Sequence, residues 1–213
     1  MPSYRQRSDL WRLWFNLFYL NSTHVPENWA RELEEHDRDA ITRFVWLPKW
    51  GEKIPLVSIL AYTIMPNHFH LVLKEEKEGG ISRFLHKFSM GYAKFLNIKY
   101  KESGSLFQGR FKSRTATDDA YLRYVIAYVM VKNPLELQSG GLKAAARDFE
   151  KTWRVAVKYP FSSLADYVGG RKVPILRTDA LNDFFDSPSA FKSFARDCIL
   201  GMKLDDKEFD LHL

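Results

Sequence analysis

The chain has 213 residues, a formal net charge of +6, and 46% hydrophobic and 15% aromatic residues, enough for one substantial core and a small appended part. A single cysteine, Cys198, excludes an intramolecular disulfide and a cysteine-built zinc site. No apolar run approaches the ~20 residues that a membrane helix needs. Residues 1–9 also lack the apolar middle of a secretory signal, so the expected address is the cytoplasm, with no membrane partner.

In chain order, the aromatic-rich residues 10–20 predict a buried first strand, closed by Asn21-Ser22. Trp29, Leu33, Ile41, Phe44 and Val45 have helical spacing and predict an acidic helix from Glu27 to about Leu47, ending before Pro48. Strands are expected over 55–64 and 68–75, joined by the turn at Pro66-Asn67. Ile81, Phe84, Leu85, Phe88, Tyr92 and Phe95 recur at intervals of three and four and predict a second helix. Ser105 to Arg114 alternates and reads as another strand or ribbon. Thr117 or Asp118 would cap a third helix running to Lys132, where Asn133-Pro134 stops it. Ser187-Pro188 starts the last clear helix, with Phe191, Phe194, Ala195, Cys198 and Ile199 as its buried stripe. The order β-α-β-β-α-β-α is an α+β arrangement, an antiparallel sheet with helices on one face. It predicts a catalytic domain over residues 1–135 and a helical extension over 136–213 packed on the core.

Chemistry concentrates in Met65-Pro-Asn-His-Phe-His-Leu. On a strand His68 and His70 share a face while Phe69 points away, and a rise of ~3.3 Å per residue puts their Cα atoms roughly 6–7 Å apart. Two imidazoles so placed can converge on one metal ion. By themselves they also fit the plainer reading of hydrogen-bonded, half-exposed histidines. Basic residues accumulate between 83 and 114 and include Lys87, Lys94, Arg110, Lys112 and Arg114. In Gln108-Gly109-Arg110-Phe111-Lys112-Ser113-Arg114 the cations alternate onto one face of the expected ribbon, which suits phosphate contact or a solvated edge. Tyr121, Tyr124 and Tyr128 fall at i, i+3 and i+7 and share a helix side, as packing residues also would. Ser162-Ser163 reads as a turn or cap.

Four segments line up in order: Met65–Leu71, Gly104–Ser113, Asp119–Tyr128 leading to Asn133-Pro134, and Tyr159-Pro-Phe-Ser-Ser-Leu-Ala-Asp-Tyr-Val-Gly169. Together they resemble the REP-associated tyrosine transposases, members of the single-tyrosine, His-hydrophobe-His superfamily. The resemblance implies a ferredoxin-like sheet and a metal-dependent endonuclease and strand transferase. His68 and His70 would hold Mg²⁺ or Mn²⁺ at a scissile phosphate of single-stranded or hairpin DNA. Tyr128 would be the nucleophile, leaving a 5′-phosphotyrosine and a free 3′-hydroxyl. Gln108, Arg110, Lys112, Arg114, Lys87 and Lys94 would contact the DNA.

In the family an Asn four residues beyond the tyrosine adds a metal ligand, whereas Asn133 lies five beyond Tyr128. At ~100° per residue the extra step carries it well round an ideal helix. Either a one-residue bulge restores the phase and Asn133 is the third ligand, or Lys132 faces the metal and Asn133 merely stops the helix. Two other functions stay open: a catalytically inactive nucleic-acid-binding descendant, and a metal-dependent phosphoesterase that uses water. The choice between monomer and homodimer is also open.

Overall fold

The structure, a computed structural model, describes residues 5–107, 109 and 111–201. The architecture is α+β, with one antiparallel pair of strands and many helices. The chain divides into two compact units, Met1–Ser58 with Leu73–Arg110 and Val173–Ile175, and Ile59–Val72 with Phe111–Lys172 and Leu176–Leu213.

In the first unit, residues 10–20 are not a strand but the body of helix α1, Arg7–Tyr19. Leu10, Leu13, Trp14, Leu17 and Phe18 are buried at helical spacing, and that period outweighs the strand preference of the aromatic rings. The second helix, α2, spans only Trp29–His36. Asp37 leaves it in an extended conformation, and its carboxylate accepts the Asp39 N–H at 2.9 Å, offering the backbone a turn in place of another helical bond. Phe44 is left-handed at φ +55°, so Ile41, Phe44 and Val45 extend no helix. Helix α3, Gly80–Tyr100, follows the expected stripe and buries Phe84, Leu85, Phe88, Tyr92 and Leu96. It packs on α1, and a Cβ at Gly91 would come within 2.6 Å of a Leu20 methyl, which would have to move aside. The buried Asn21 side chain accepts from the N–H groups of Leu56 and Val57 and donates to the Val57 carbonyl at 2.8 Å, doing the work of a neighbouring strand.

Strand β1, Val57–Ile64, pairs with β2, Phe69–Glu75, as an antiparallel hairpin. Every residue of β1 is buried, as an interior strand requires. In the second unit β1 gains two more partners: an antiparallel bridge from Thr63 to Ser162 and a parallel one from Ile59 to Leu176. Helix α4, Asp119–Ala127, starts at the predicted cap, where the Asp118 carboxylate accepts the Tyr121 N–H at 2.8 Å. Asn133-Pro134 does not stop it. A π-turn at Tyr128–Lys132 leads directly into α5, Asn133–Glu136.

Where a strand or ribbon is expected over residues 105–114, the described residues 105–107, 109 and 111–114 form no strand, and residues 111–117 are exposed. The short helices α6 (Gly141–Arg147), α7 (Phe149–Val157), α8 (Leu164–Tyr167) and α9 (Thr178–Leu181) precede α10, Pro188–Leu200. Ser187 caps α10 through its hydroxyl, which accepts the Ala190 N–H at 3.1 Å. Its stripe of Phe191, Ala195, Cys198 and Ile199 joins a core that includes Ile126, Met130 and Trp153. Among the described residues no helix is long and apolar enough to cross a membrane.

Candidate active site at the π-turn

The turn between β1 and β2 is closed by the Met65 N–H donating to the His68 carbonyl at 2.7 Å. His68 is therefore the last loop residue and His70 the second residue of β2, both half-buried. Their ring centroids are 4.9 Å apart and the planes are perpendicular, so the two imidazoles stand together as the strand alternation predicts. His68 Nδ1 lies 2.7 Å from the Asn67 side-chain oxygen, a contact that orients this ring.

Tyr128 comes to the pair from the helix. Its ring is edge-to-face with His70 at 6.0 Å between centroids, although the residue is only 5% exposed. Tyr121 and Tyr124, on the same helix, are partly buried packing residues against the core.

The local chain path follows from the π-turn. Pro134 has no N–H, so the Met130 carbonyl four residues back loses its helical donor. The Ser162 hydroxyl replaces it, donating at 3.1 Å. The Val129 carbonyl takes the Thr63 hydroxyl at 2.6 Å, and the Asn133 amide lies 3.5 Å from the same oxygen. A π-turn bonds i to i+5 and so absorbs one extra residue, the length by which Asn133 is displaced. Even so, Asn133 points its amide along the helix, while Lys132 places Nζ 3.2 Å from Tyr128 Oη and 4.6 Å from the centre of its ring. The lysine side chain is 3% exposed and pairs with Glu136 at 2.9 Å.

Behind the site, Ser163 exchanges bonds with the Tyr62 backbone. The Tyr62 hydroxyl donates to Asp166, which is also paired with Arg171. Burial pushes the Asp166 carboxyl up despite these partners. Arg171 adds a bond to the Pro160 carbonyl at 2.6 Å, so the 160–166 segment is clamped to β1 where it supports the π-turn.

As donors, two imidazole nitrogens suit a divalent ion whose remaining positions go to water and phosphate oxygens. Among the described residues no group of three His, Cys, Asp or Glu side chains converges. Of the expected DNA contacts, Gln108 and Arg110 lie outside the described residues. Lys112 and Arg114 are exposed on the irregular 111–117 segment, which removes the alternation argument that put them on one strand face. Lys87 is half-buried and donates to the carbonyls of Ser22 and Thr23 at 2.7 and 2.9 Å, and burial lowers its pKa. Lys94 pairs with the exposed Glu27 at 3.2 Å.

Thr63 was not legible as a site residue, and Ser162 only as a turn. The available signal was Pro134 itself, since a proline inside a helix obliges some hydroxyl or amide to serve the orphaned carbonyl.

Comparison with curated proteins finds no match, and comparison with solved structures finds none. A family model described as "Transposase IS200 like" matches residues 42–132, somewhat under half of the chain. The match takes in His68, His70 and Tyr128 and ends at Lys132, one residue short of Asn133. Over the segment that carries the histidine pair and the tyrosine helix, the chain is similar to the IS200-like transposases, which are DNA-processing proteins.

Proposed function

We propose that the chain is a tyrosine strand-transfer enzyme of the REP-associated kind, which cuts and rejoins single-stranded, hairpin-bearing DNA through a covalent bond to Tyr128. The observation that carries this reading is the contact of the Tyr128 ring with His70, itself perpendicular to His68. A nucleophilic oxygen and two nitrogen donors are thereby gathered at one end of a hairpin whose other strand is entirely buried and rigid.

Mg²⁺ or Mn²⁺ held by His68 and His70 would offset the charge that builds on the phosphoryl oxygens. Asn67 keeps the His68 ring turned for that task. Tyr128 Oη forms the bond to phosphorus as the bond from phosphorus to the 3′-oxygen breaks. The phenolic proton passes to solvent and the 3′-oxygen takes one up, so a 5′-phosphotyrosine and a 3′-hydroxyl result. The stored phosphodiester then allows rejoining to another 3′-end without an external energy source. Lys112 and Arg114, exposed on their segment, would neutralise backbone phosphates. Asn133 would serve as third metal ligand only by giving up its approach to the Val129 carbonyl.

The test is incubation with end-labelled hairpin single-stranded DNA and Mg²⁺ or Mn²⁺, followed by denaturing electrophoresis. A protein–DNA adduct that survives SDS and disappears in Tyr128→Phe supports the reading. Cleavage without adduct would assign a water-using phosphoesterase, and binding alone a non-catalytic descendant.

A further inference from the structure

The most unusual group in the second unit is the Lys132 ammonium. It is buried, it is set on a phenol oxygen, and its acidic partner Glu136 comes from the next turn of the same helix. A buried cation is costly unless it is paired. Glu136, 35% exposed, holds one side of it, and Tyr128 Oη occupies another at 3.2 Å. Residues 128 and 132 are four apart, so the tyrosine and the lysine share a face of the helix.

We propose that Lys132 is a catalytic residue for strand cleavage, binding the non-bridging oxygens of the phosphate as it becomes attached to Tyr128. This rests on Tyr128 being the nucleophile. When the Oη–phosphorus bond forms and the phosphorus–O3′ bond breaks, the phosphoryl oxygens are two bonds beyond the atom that Nζ already touches. A cation fixed within 3.2 Å of the entering oxygen is thus within ion-pairing distance of the charge that the transition state and the phosphotyrosine carry. Glu136 restrains the ammonium on its far side and keeps its position preorganised. The site then neutralises the phosphate from two directions, through the His68–His70 pair and through Lys132, and needs no third ligand from Asn133.

The experiment compares rates of adduct formation, at saturating DNA, for the full chain and its Lys132→Met and Lys132→Arg variants. Two substrates are used: an ordinary phosphodiester at the scissile position, and a methylphosphonate there, which lacks one of the negatively charged oxygens. Lys132→Met should be about 100-fold slower on phosphodiester, with unchanged DNA affinity and melting temperature. It should fall within a few-fold of the parent on methylphosphonate, where the charge it answers is absent. Lys132→Arg, which keeps the charge, should recover most of the rate on phosphodiester.

If Lys132→Met does not fold, the partly exposed Glu136→Gln carries the test. It should be slower on phosphodiester and unchanged on methylphosphonate. Equal slowing on both substrates, or no slowing on phosphodiester, overturns the role of Lys132 and leaves the tyrosine chemistry standing. No adduct from the parent chain on either substrate overturns both.

Discussion

In the first unit, buried charge is answered by groups whose task is closure. Asp9 receives the N–H groups of Arg5 and Gln6, the Tyr100 hydroxyl at 2.8 Å and Lys99 at 2.5 Å. Lys53 lies against the rings of Phe18 and Trp46 and donates to the Asn21 carbonyl at 2.9 Å, and desolvation pushes its pKa down to about 8. In the second unit the buried Lys132 faces a phenol that in turn faces an imidazole. Lys99 of the first unit also meets a phenol, but the Tyr100 hydroxyl donates to Asp9, whereas the phenol beside Lys132 faces the histidine pair. The two lysines therefore differ in the chemistry of their partners.

The strongest way to break this contrast is to remove the imidazoles. His68→Ala or His70→Ala should lower cleavage by about 1,000-fold or more, with little change in melting temperature or DNA affinity, read by gel assay and thermal unfolding. Metal-dependent cleavage retained by the double variant would contradict the assignment.

Next come the hydroxyls that serve the π-turn. Thr63→Val or Ser162→Ala leaves a buried carbonyl short of a donor and should cost about 1–3 kcal/mol each in urea unfolding. It should also slow adduct formation by disturbing Tyr128. An unchanged stability in both would show that the turn stands without them.

In the first unit, Asp9→Asn should cost about 2 kcal/mol at neutral pH and leave the tyrosine chemistry intact. Burial works to raise the Asp9 pKa, but Lys99, the two backbone donors and Tyr100 outweigh it and hold the folded value below the ordinary 3.8. The stability that Asp9 supplies is therefore present above that value and lost as pH falls through the lower, folded one. Asp9→Asn should flatten this acid limb of the stability profile.

The smallest effect concerns Lys53. Its folded pKa lies below the ordinary 10.5, so between about pH 8 and 10 the unfolded chain holds the extra proton and stability should rise with pH, by about 1 kcal/mol. Lys53→Met should abolish the rise.

How much of this could be read in advance varies by element. The β1–β2 hairpin, the α3 stripe and the Asp118 cap were legible because each has a local signature: alternation, a period near 3.6, and an acidic residue before an apolar run. The helix over residues 7–19 was mistaken for a strand because its density of aromatic residues was weighed above the spacing of Leu10, Leu13, Trp14 and Leu17. Within 105–114 the described residues form no strand, because alternating cations specify one only where a neighbour accepts their hydrogen bonds.

At the site, the one-residue displacement of Asn133 leaves open either a bulge or an Asn133 outside the site; the helix carries a π-turn at Tyr128–Lys132, yet it is Lys132 that meets the tyrosine. Which of residues 132 and 133 turns toward the tyrosine was not legible, since it depends on Thr63 and Ser162, about 30 to 70 residues away, holding the freed carbonyls.

The account stands most directly on the covalent bond at residue 128. Mass spectrometry of the adduct formed with hairpin single-stranded DNA and Mn²⁺, after digestion of both polymers, locates the attached nucleotide. A nucleotide joined through its 5′-phosphate to the peptide bearing Tyr128, and absent from Tyr128→Phe, is the predicted result. A nucleotide on another side chain, or cleaved DNA with no linkage to protein, would contradict it.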